Sequence, residues 1–370
     1  MNRINYKSSA IFAIISIIIV LIIVFSFGCA KKEPNEIKIG AILPLTGTAA
    51  SLGVSIKNGQ QLAIEHINQK GGINGMPLKL IVEDGGGDPK TSVAALKKLI
   101  EVEKVKIVVS TISSVCLALI PIADENKVIF FATAAHPEIT GRSKYVFRHN
   151  QTAEQEAEII SNYIIHKLSP KPKVINMAIF NDDFGIAYQK ALFENFNKID
   201  EIKIEKNIIY ERTETDFRTI VQKLLKPKPD LVITEGFGKQ LGILIKRLRE
   251  YHYEGPIFAN LMFSFPDVKT SAGEAAKGAY YPDFAFNKSD PLFLKLKREY
   301  KERFNDEMPN VSVMEYNSIL LIAEAMHKVG YNSDAIANYI RNLKHFRGVG
   351  EEISISPRGG MLPALEIKRF

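Results

Sequence analysis

The sequence predicts an α/β fold built as two lobes, each a parallel sheet flanked by helices, on three observations. Apolar strand-like runs alternate with helical ones from residue 37 onward, the rhythm restarts near residue 152, and strand-like segments return at the very end after a run of helices. Alternation of this kind implies parallel pairing through right-handed crossovers, with helices on both sheet faces. A chain of 370 residues exceeds one compact core, so two domains are the natural division.

The elements follow in order. "IKIGAILPL" from residue 37 reads as a strand. "VSIKNGQQLAIEHINQKGG" reads as a helix on the spacing of Ile56, Leu62, Ala63, Ile64 and Ile67, closed by Gly71-Gly72. "PLKLIVED" is the next strand, and "PKTSVAALKKLIE" is a helix with Pro89 in its first turn. "VKIVVS" and "VIFFAT" are strands on either side of a helical "CLALIPIADEN", and "YVFRHN" adds a further strand. The second series opens with the helix "TAEQEAEIISNYIIHKL", where Thr152 caps and Gln155 stands three residues on. It continues as strand "KVINMAIFND", helix "AYQKALFENFNK", strand "IKIEKNIIY" and helix "FRTIVQKLLK". Strand "DLVITEG", helix "KQLGILIKRLREY" and strand "PIFAN" complete it. "GAYYPDF" then leads to three helices near 291–304, 315–329 and 333–342. The tail "EEISISPRGGMLPALEIKRF" reads as a hairpin turning at Arg358-Gly359-Gly360.

The N-terminus carries its own signal. Arg3 and Lys7 precede residues 10–28, which hold no charge, and "SFGCAKK" follows. A basic start before an apolar run marks an export signal, here long enough also to serve as an uncleaved membrane anchor. The stretch ending at Cys29 resembles a bacterial lipoprotein signal, which implies a signal peptide over 1–28, lipid on Cys29 and a polar tether over 29–36. Phe27 and Ser26 depart from the small residue and Leu commoner at those places. The other cysteine, Cys116, sits in an apolar run and reads as a buried thiol. The formal charge of +7 is spread along the chain, with no Arg/Lys block interleaved with aromatics, so no nucleic-acid surface is expected.

Several motifs are excluded by spacing. In "EDGGGDPKT" Pro89, not Gly, precedes Lys90-Thr91, so a turn at the end of a strand is expected rather than a phosphate loop. The seven histidines are scattered, with no H-E-x-x-H and no zinc spacing, so neither a metal nor a cofactor is expected. Asp182-Asp183 and Glu351-Glu352 read as solvated turns. "STISSVCLALIPIAD" from residue 110 is more informative, because Ser113 and Ser114 fall just after a strand and just before a helix. Helix N-termini present free N–H groups and favour anions, so these serines either cap the helix or hold a carboxylate, and the two readings stand side by side. Ser113 lacks the G-x-S-x-G context of a hydrolase nucleophile, and no base is placed near it by the sequence.

The run "KIGAILPLTGTAASLGVSIKNGQQLAIEHINQKGGINGMPLKLIVEDGGGDP", with "DPKTSVAALKKLI", "VIFFATAAHPEIT" and "AGEAAKGAYYP" after it in the same order, resembles the leucine/isoleucine/valine-binding family. Its members are type I periplasmic solute-binding proteins of ABC importers, and the likeness covers residues 37 to 370. It implies two α/β lobes joined by three crossings and closing like a hinge, with the N-terminal lobe over 37–152 plus 284–350 and the C-terminal lobe over 153–283 plus 351–370. By resemblance, Ser113 with Ser114 holds a ligand carboxylate, Ala134 contacts the ligand through its main chain, and Phe184 supplies an aromatic wall. The pattern departs elsewhere. Leu52 and Phe237 replace tyrosines, His136 replaces a threonine, and Leu261 stands where a carboxylate receives the ligand's ammonium. A buried ammonium without that partner costs several kcal/mol, so the expected ligand is an amino acid or an aromatic or aliphatic acid or amide lacking a free amine. The implied partners are a membrane permease and the bilayer, with the protein itself a monomer. A ligand sensor acting on a separate signalling protein is the alternative, and an exported hydrolase is disfavoured.

Overall fold

The computed structural model describes residues 36–370; the signal segment 1–28, Cys29 and the tether up to residue 35 lie outside the described residues. The first series of elements is β1 (Ile37–Leu43), α1 (Ala50–Gln69), β2 (Leu78–Asp84), α2 (Pro89–Glu101), β3 (Ile107–Thr111), α3 (Ser113–Glu125), β4 (Ile129–Thr133) and β5 (Val146–His149). The second is α4 (Ala153–His166), β6 (Val174–Phe180), α5 (Asp183–Phe196), β7 (Lys203–Tyr210), α6 (Arg218–Leu224), β8 (Leu231–Thr234), α7 (Gly238–Glu250), β9 (Ile257–Ala259), α8 (Pro266–Ala272) and β10 (Tyr280–Phe284). The chain closes with α9 (Pro291–Phe304), α10 (Asn310–Val329), α11 (Ser333–Asn342), the short strands β11 (His345–Arg347), β12 (Glu352–Ser354) and β13 (Gly360–Met361), and β14 (Leu365–Arg369).

Two six-stranded sheets result, in the orders β13-β5-β4-β3-β1-β2 and β14-β10-β9-β8-β6-β7. Every pairing in the first is parallel, and in the second only β14 runs antiparallel to its neighbour β10. β3 and β4 are buried along their whole length, which is why they read as unbroken apolar runs rather than alternating ones. Each sheet reverses its winding direction once, between β1 and β3 in the first and between β6 and β8 in the second. Open parallel sheets place ligands at the carboxyl ends of the strands flanking such a reversal.

The chain moves from one sheet to the other three times: after β5, after β10, and between Met361 and Leu365. The last of these corrects the expected boundary at 350. β11 and β12 pair with each other, and β13 pairs in parallel with β5 of the first sheet. Val349, Ile353 and Met361 accordingly bury in the same apolar cluster as α10 and α11. The expected hairpin at Arg358-Gly359-Gly360 is a tight turn, with Gly359 N–H donating to the Ser356 carbonyl, but the strand after it joins β5 and only β14 reaches the second sheet.

Local signals explain most boundaries. Thr152 Oγ1 accepts the Gln155 N–H at 3.1 Å, and Asp88 caps α2 through the Thr91 N–H at 2.8 Å. The glycine loop at 85–87 is a turn, tied back by Asp84, whose Oδ1 accepts from Gly86 and Leu45. α10 begins at Asn310 rather than near 315, because Pro309 stands at its N-cap and Val311, Val313 and Met314 bury at once. Glu351 is not in a solvated turn. Its carboxylate accepts from Asn317 Nδ2 at 2.8 Å and lies 3.3 Å from His149 Nε2, while Glu352 is exposed.

Candidate functional site

The carboxyl ends of β3, β4, β6, β8 and β9 face one cavity between the two sheets. It holds about 50 Å³ and is walled by Leu52, Thr111, Ile112, Ser113, Thr133, Ala134 and Ala135 from the first lobe's side. Asn150, Gln151 and Glu156 border it from the crossing into α4, and Asp182, Phe184, Phe237, Asn260, Leu261 and Met262 close it from the second. One water needs about 10–15 Å³ on this scale, so the space admits a small organic molecule.

Of the residues singled out from the sequence, Leu52, Ser113, Ala134, Phe184, Phe237 and Leu261 meet in these walls. Ser114 and His136 are not among them. His136 instead donates its backbone N–H to Ser113 Oγ at 3.2 Å, while its Nδ1 accepts the Glu138 N–H at 3.2 Å and so caps the short turn 137–139. Burial holds its imidazole below the usual histidine pKa, so it is neutral at pH 7.

The Ser113 segment resolves differently from a simple cap. The helix α3 starts at Ser113 itself, its N-cap is Ile112, and no side chain caps it. Ile112 has φ 70° and ψ 126°, a left-handed backbone that a β-branched residue adopts only under strain of about 1–3 kcal/mol. The first N–H groups of α3 have no partner within the helix and carry the positive end of its dipole. Of this segment Thr111, Ile112 and Ser113 line the cavity, so the Ser113 hydroxyl and the very start of α3 form the donor side of its wall. Cys116 lies one turn further on, fully buried, and desolvation raises its thiol pKa far above normal, so it packs as an apolar group.

The opposite wall is rich in acceptors, and sequence reasoning missed it. Leu261 does lack a carboxylate, but its backbone N–H donates at 2.8 Å to Oε1 of Glu156, which enters from the first turn of α4. Gln151 Nε2 donates to the other oxygen at 2.9 Å. Glu156 is 0% exposed, and burial pushes its carboxyl up to about 7 against only these two hydrogen bonds. Asp182 caps α5 through the Gly185 N–H at 2.7 Å and is pushed up to about 6 by burial, so Asp182-Asp183 is no solvated turn. Glu235, behind it, accepts from Phe180 N–H at 2.8 Å, and burial and the charge of Asp182 hold it well above the ordinary carboxylate range. Gln151 Oε1 and Asn260 Oδ1 are buried without a hydrogen-bond partner, while the NH₂ groups of the two amides donate to Glu156, Glu235 and the Gly236 carbonyl. A signal existed in "TAEQEAE", but three acids at alternate positions look alike until the fold shows which one is buried.

The two lobes touch around this cavity. Phe237 packs against the apolar cluster of the first sheet, and Leu261 and Phe265 share a cluster with Leu52. Arg212 Nη2 donates to the Gly87 carbonyl at 3.3 Å across the cleft. Gly238, with φ 52°, lies so close to Thr48 that a Cβ placed on it falls 2.3 Å from the Thr48 carbonyl oxygen. The arrangement is a closed cleft.

A model of a periplasmic binding protein family matches residues 36–363. The Leu/Ile/Val-binding protein BraC3 of Rhizobium johnstonii is 29% identical over 70% of this chain and 70% of its own. An amino acid binding protein of Pseudomonas aeruginosa is 27% identical over 84% of this chain and 83% of that protein. Among solved structures, the branched-chain amino acid transporter substrate binding protein LivJ from Streptococcus pneumoniae, in complex with isoleucine, superposes with a TM-score of 0.84. It is 22% identical, covering 91% of this chain and 96% of its own. A solute binding protein of an ABC transporter from Rhodopseudomonas palustris BisB5, in complex with 3,4-dihydroxybenzoic acid, gives 0.80 at 23% identity over 90% and 93%.

Proposed function

The chain belongs to the periplasmic binding protein family, of type I with two α/β lobes, and from that premise we propose that its cleft captures a small organic ligand for import. The family consists of exported solute-binding proteins, not enzymes. The ligand class is an amino acid or a related small carboxylate or amide. Capture occurs by closure of the lobes about the three crossings, and the closed form docks on the membrane permease of an ABC importer. The protein works as a monomer held to the membrane through lipid on Cys29.

The observation that carries this reading is the donor-rich wall. Ser113 and the uncapped N-terminus of α3 converge on one side of a closed cavity at the winding reversal of the first sheet, where an anionic or carbonyl head is stabilised. Phe184, Phe237, Leu52 and Met262 supply apolar surface for the remainder of the ligand.

A thermal-shift screen of small amino acids, acids and amides tests it. Binding to the folded state raises the melting temperature by mass action, and the best ligands should give a saturable rise. Ser113→Ala removes one hydrogen bond to a charged head, worth about 1.5–3 kcal/mol, and should weaken the same ligands roughly tenfold to a hundredfold. A flat screen, or unchanged affinity in Ser113→Ala, contradicts the assignment.

A further inference from the structure

We propose that the arginine-lined recess where β13 meets β5 binds a small tetrahedral oxyanion of the phosphate or sulfate type, at a site separate from the cleft. Arg148 on β5 is only 5% exposed. Its Nη1 donates to the His136 carbonyl at 3.3 Å, and its Nε donates to nothing. The ion-paired arginines among the described residues are Arg142, Arg218, Arg247, Arg298 and Arg303, and Arg148 is not one of them. Glu154, exposed on α4, is the acid that acts on it, without forming an ion pair. Burial, with the charge of Arg358, pulls the guanidinium down to about 10, so it stays cationic at pH 7. Buried charges are ordinarily paired, because an unmatched one strongly destabilises the fold.

Two more guanidinium groups gather at the same turn, and neither has a carboxylate partner among the described residues. Arg341 of α11 spends its donors on the carbonyls of Lys144, Pro357 and Ser143, at 2.9, 2.7 and 2.7 Å. Arg358 Nη2 donates to the Thr140 carbonyl at 3.2 Å. The recess itself opens beside Gly360. A Cβ placed on that residue falls 3.3 Å from Arg148 Nη2, 3.3 Å from Ser356 Oγ and 3.9 Å from Thr140 Oγ1. Ser356 Oγ accepts the Gly360 N–H at 3.0 Å and keeps its own proton to donate. A guanidinium fork and two hydroxyls thus face one space that the glycine leaves free. Such a fork matches two oxygens of a phosphate or sulfate, and hydroxyls can reach the others.

The recess has a place in the working of the fold. The first crossing leaves from the end of β5 and the third from β13, so an ion held between them fastens both to the first lobe. Arg148 also holds the His136 carbonyl, and the His136 N–H donates to Ser113 Oγ in the cleft at 3.2 Å. The donor set offers nothing to a cation, and a guanidinium this deeply buried is reached only by a small ion.

The experiment melts the protein at pH 7 in sodium chloride with rising inorganic phosphate, at matched ionic strength so that charge screening is constant. Millimolar phosphate keeps the general salting-out stabilisation of folded proteins small. The expected result is a saturable rise in melting temperature of about 2 °C or more. Arg148→Met, which keeps an apolar stem in the buried site, should lose that rise. Gly360→Ala keeps every charge but fills the recess, and should weaken the response roughly fivefold or more. Ser113→Ala should respond as the parent does, because its hydroxyl belongs to the cleft. No saturable rise overturns the proposal, as does a rise that Arg148→Met keeps. A rise lost in Ser113→Ala but kept in Arg148→Met assigns the ion to the cleft and equally overturns it. Where Arg148→Met melts too low to score, Gly360→Ala decides, and a full parental response in that variant contradicts the site.

Discussion

Glu156→Gln should stabilise the ligand-free protein by roughly 3 kcal/mol at pH 8 and by far less at pH 5. The magnitude comes from a carboxyl raised from an ordinary 4.5 to about 7 by burial, at 1.36 kcal/mol per pH unit. The sign follows from proton counting. Above pH 4.5 the unfolded chain has released this proton while the folded chain still holds it, so stability falls as pH rises, until the folded group also ionises near 7. An amide at 156 carries no such linkage. Its oxygen still accepts from Leu261, and Gln151 can turn its amide to offer its unpartnered oxygen to the new NH₂. Thermal melts of parent and variant at the two pH values check this, and a variant less stable than the parent at pH 8 contradicts it.

Gly238→Ala should leave both lobes folded but weaken ligand capture at least tenfold. In the closed cleft the added Cβ lands 2.3 Å from the Thr48 carbonyl oxygen on the facing lobe, a distance that two backbones pressed together cannot relieve without opening. The left-handed φ of 52° adds strain of about 1 kcal/mol at the start of α7, which a fold of this size tolerates. The open form escapes the clash, so the substitution shifts the population away from the binding-competent state, and apparent affinity falls with that fraction. Small-angle scattering with and without saturating ligand separates this from simple unfolding. The parent should contract on binding, and the variant should contract less at the same ligand concentration. Affinity and contraction equal to those of the parent contradict the closure account.

The sheets were legible because buried parallel strands are continuous apolar runs and their helices carry one apolar face. "IVVST" and "IFFAT" leave no other element to choose, and residues 89–101 announce a helix by Asp88, Pro89 and the spacing of Ala95, Leu96 and Leu99. The closing segment was harder, since β13 is two residues long and its allegiance to β5 is decided by the turn at Gly359, not by any pattern of its own. The donor wall could be found from sequence because it depends on chain order alone: strand, serine, helix. Its detail could not, because nothing local marks Ile112 for a positive φ. The acceptor wall stayed hidden for a different reason. Acids near the start of a helix are ordinary, being favoured in the first turn by the dipole, and Glu154, Glu156 and Glu158 differ only in which one the crossing after β5 folds inward. Reading position 261 in isolation therefore gave no hint of the buried carboxylate that Glu156 places against its backbone N–H.

The central claim is that the cleft holds a small ligand whose acid or carbonyl head sits at Ser113. The crystal structure of the protein with the tightest ligand from the screen tests it most directly. The account predicts density in the cavity with the head within hydrogen-bond distance of Ser113 Oγ. Density for a ligand that binds outside this cavity, or one lying in it with hydrocarbon against Ser113, contradicts it.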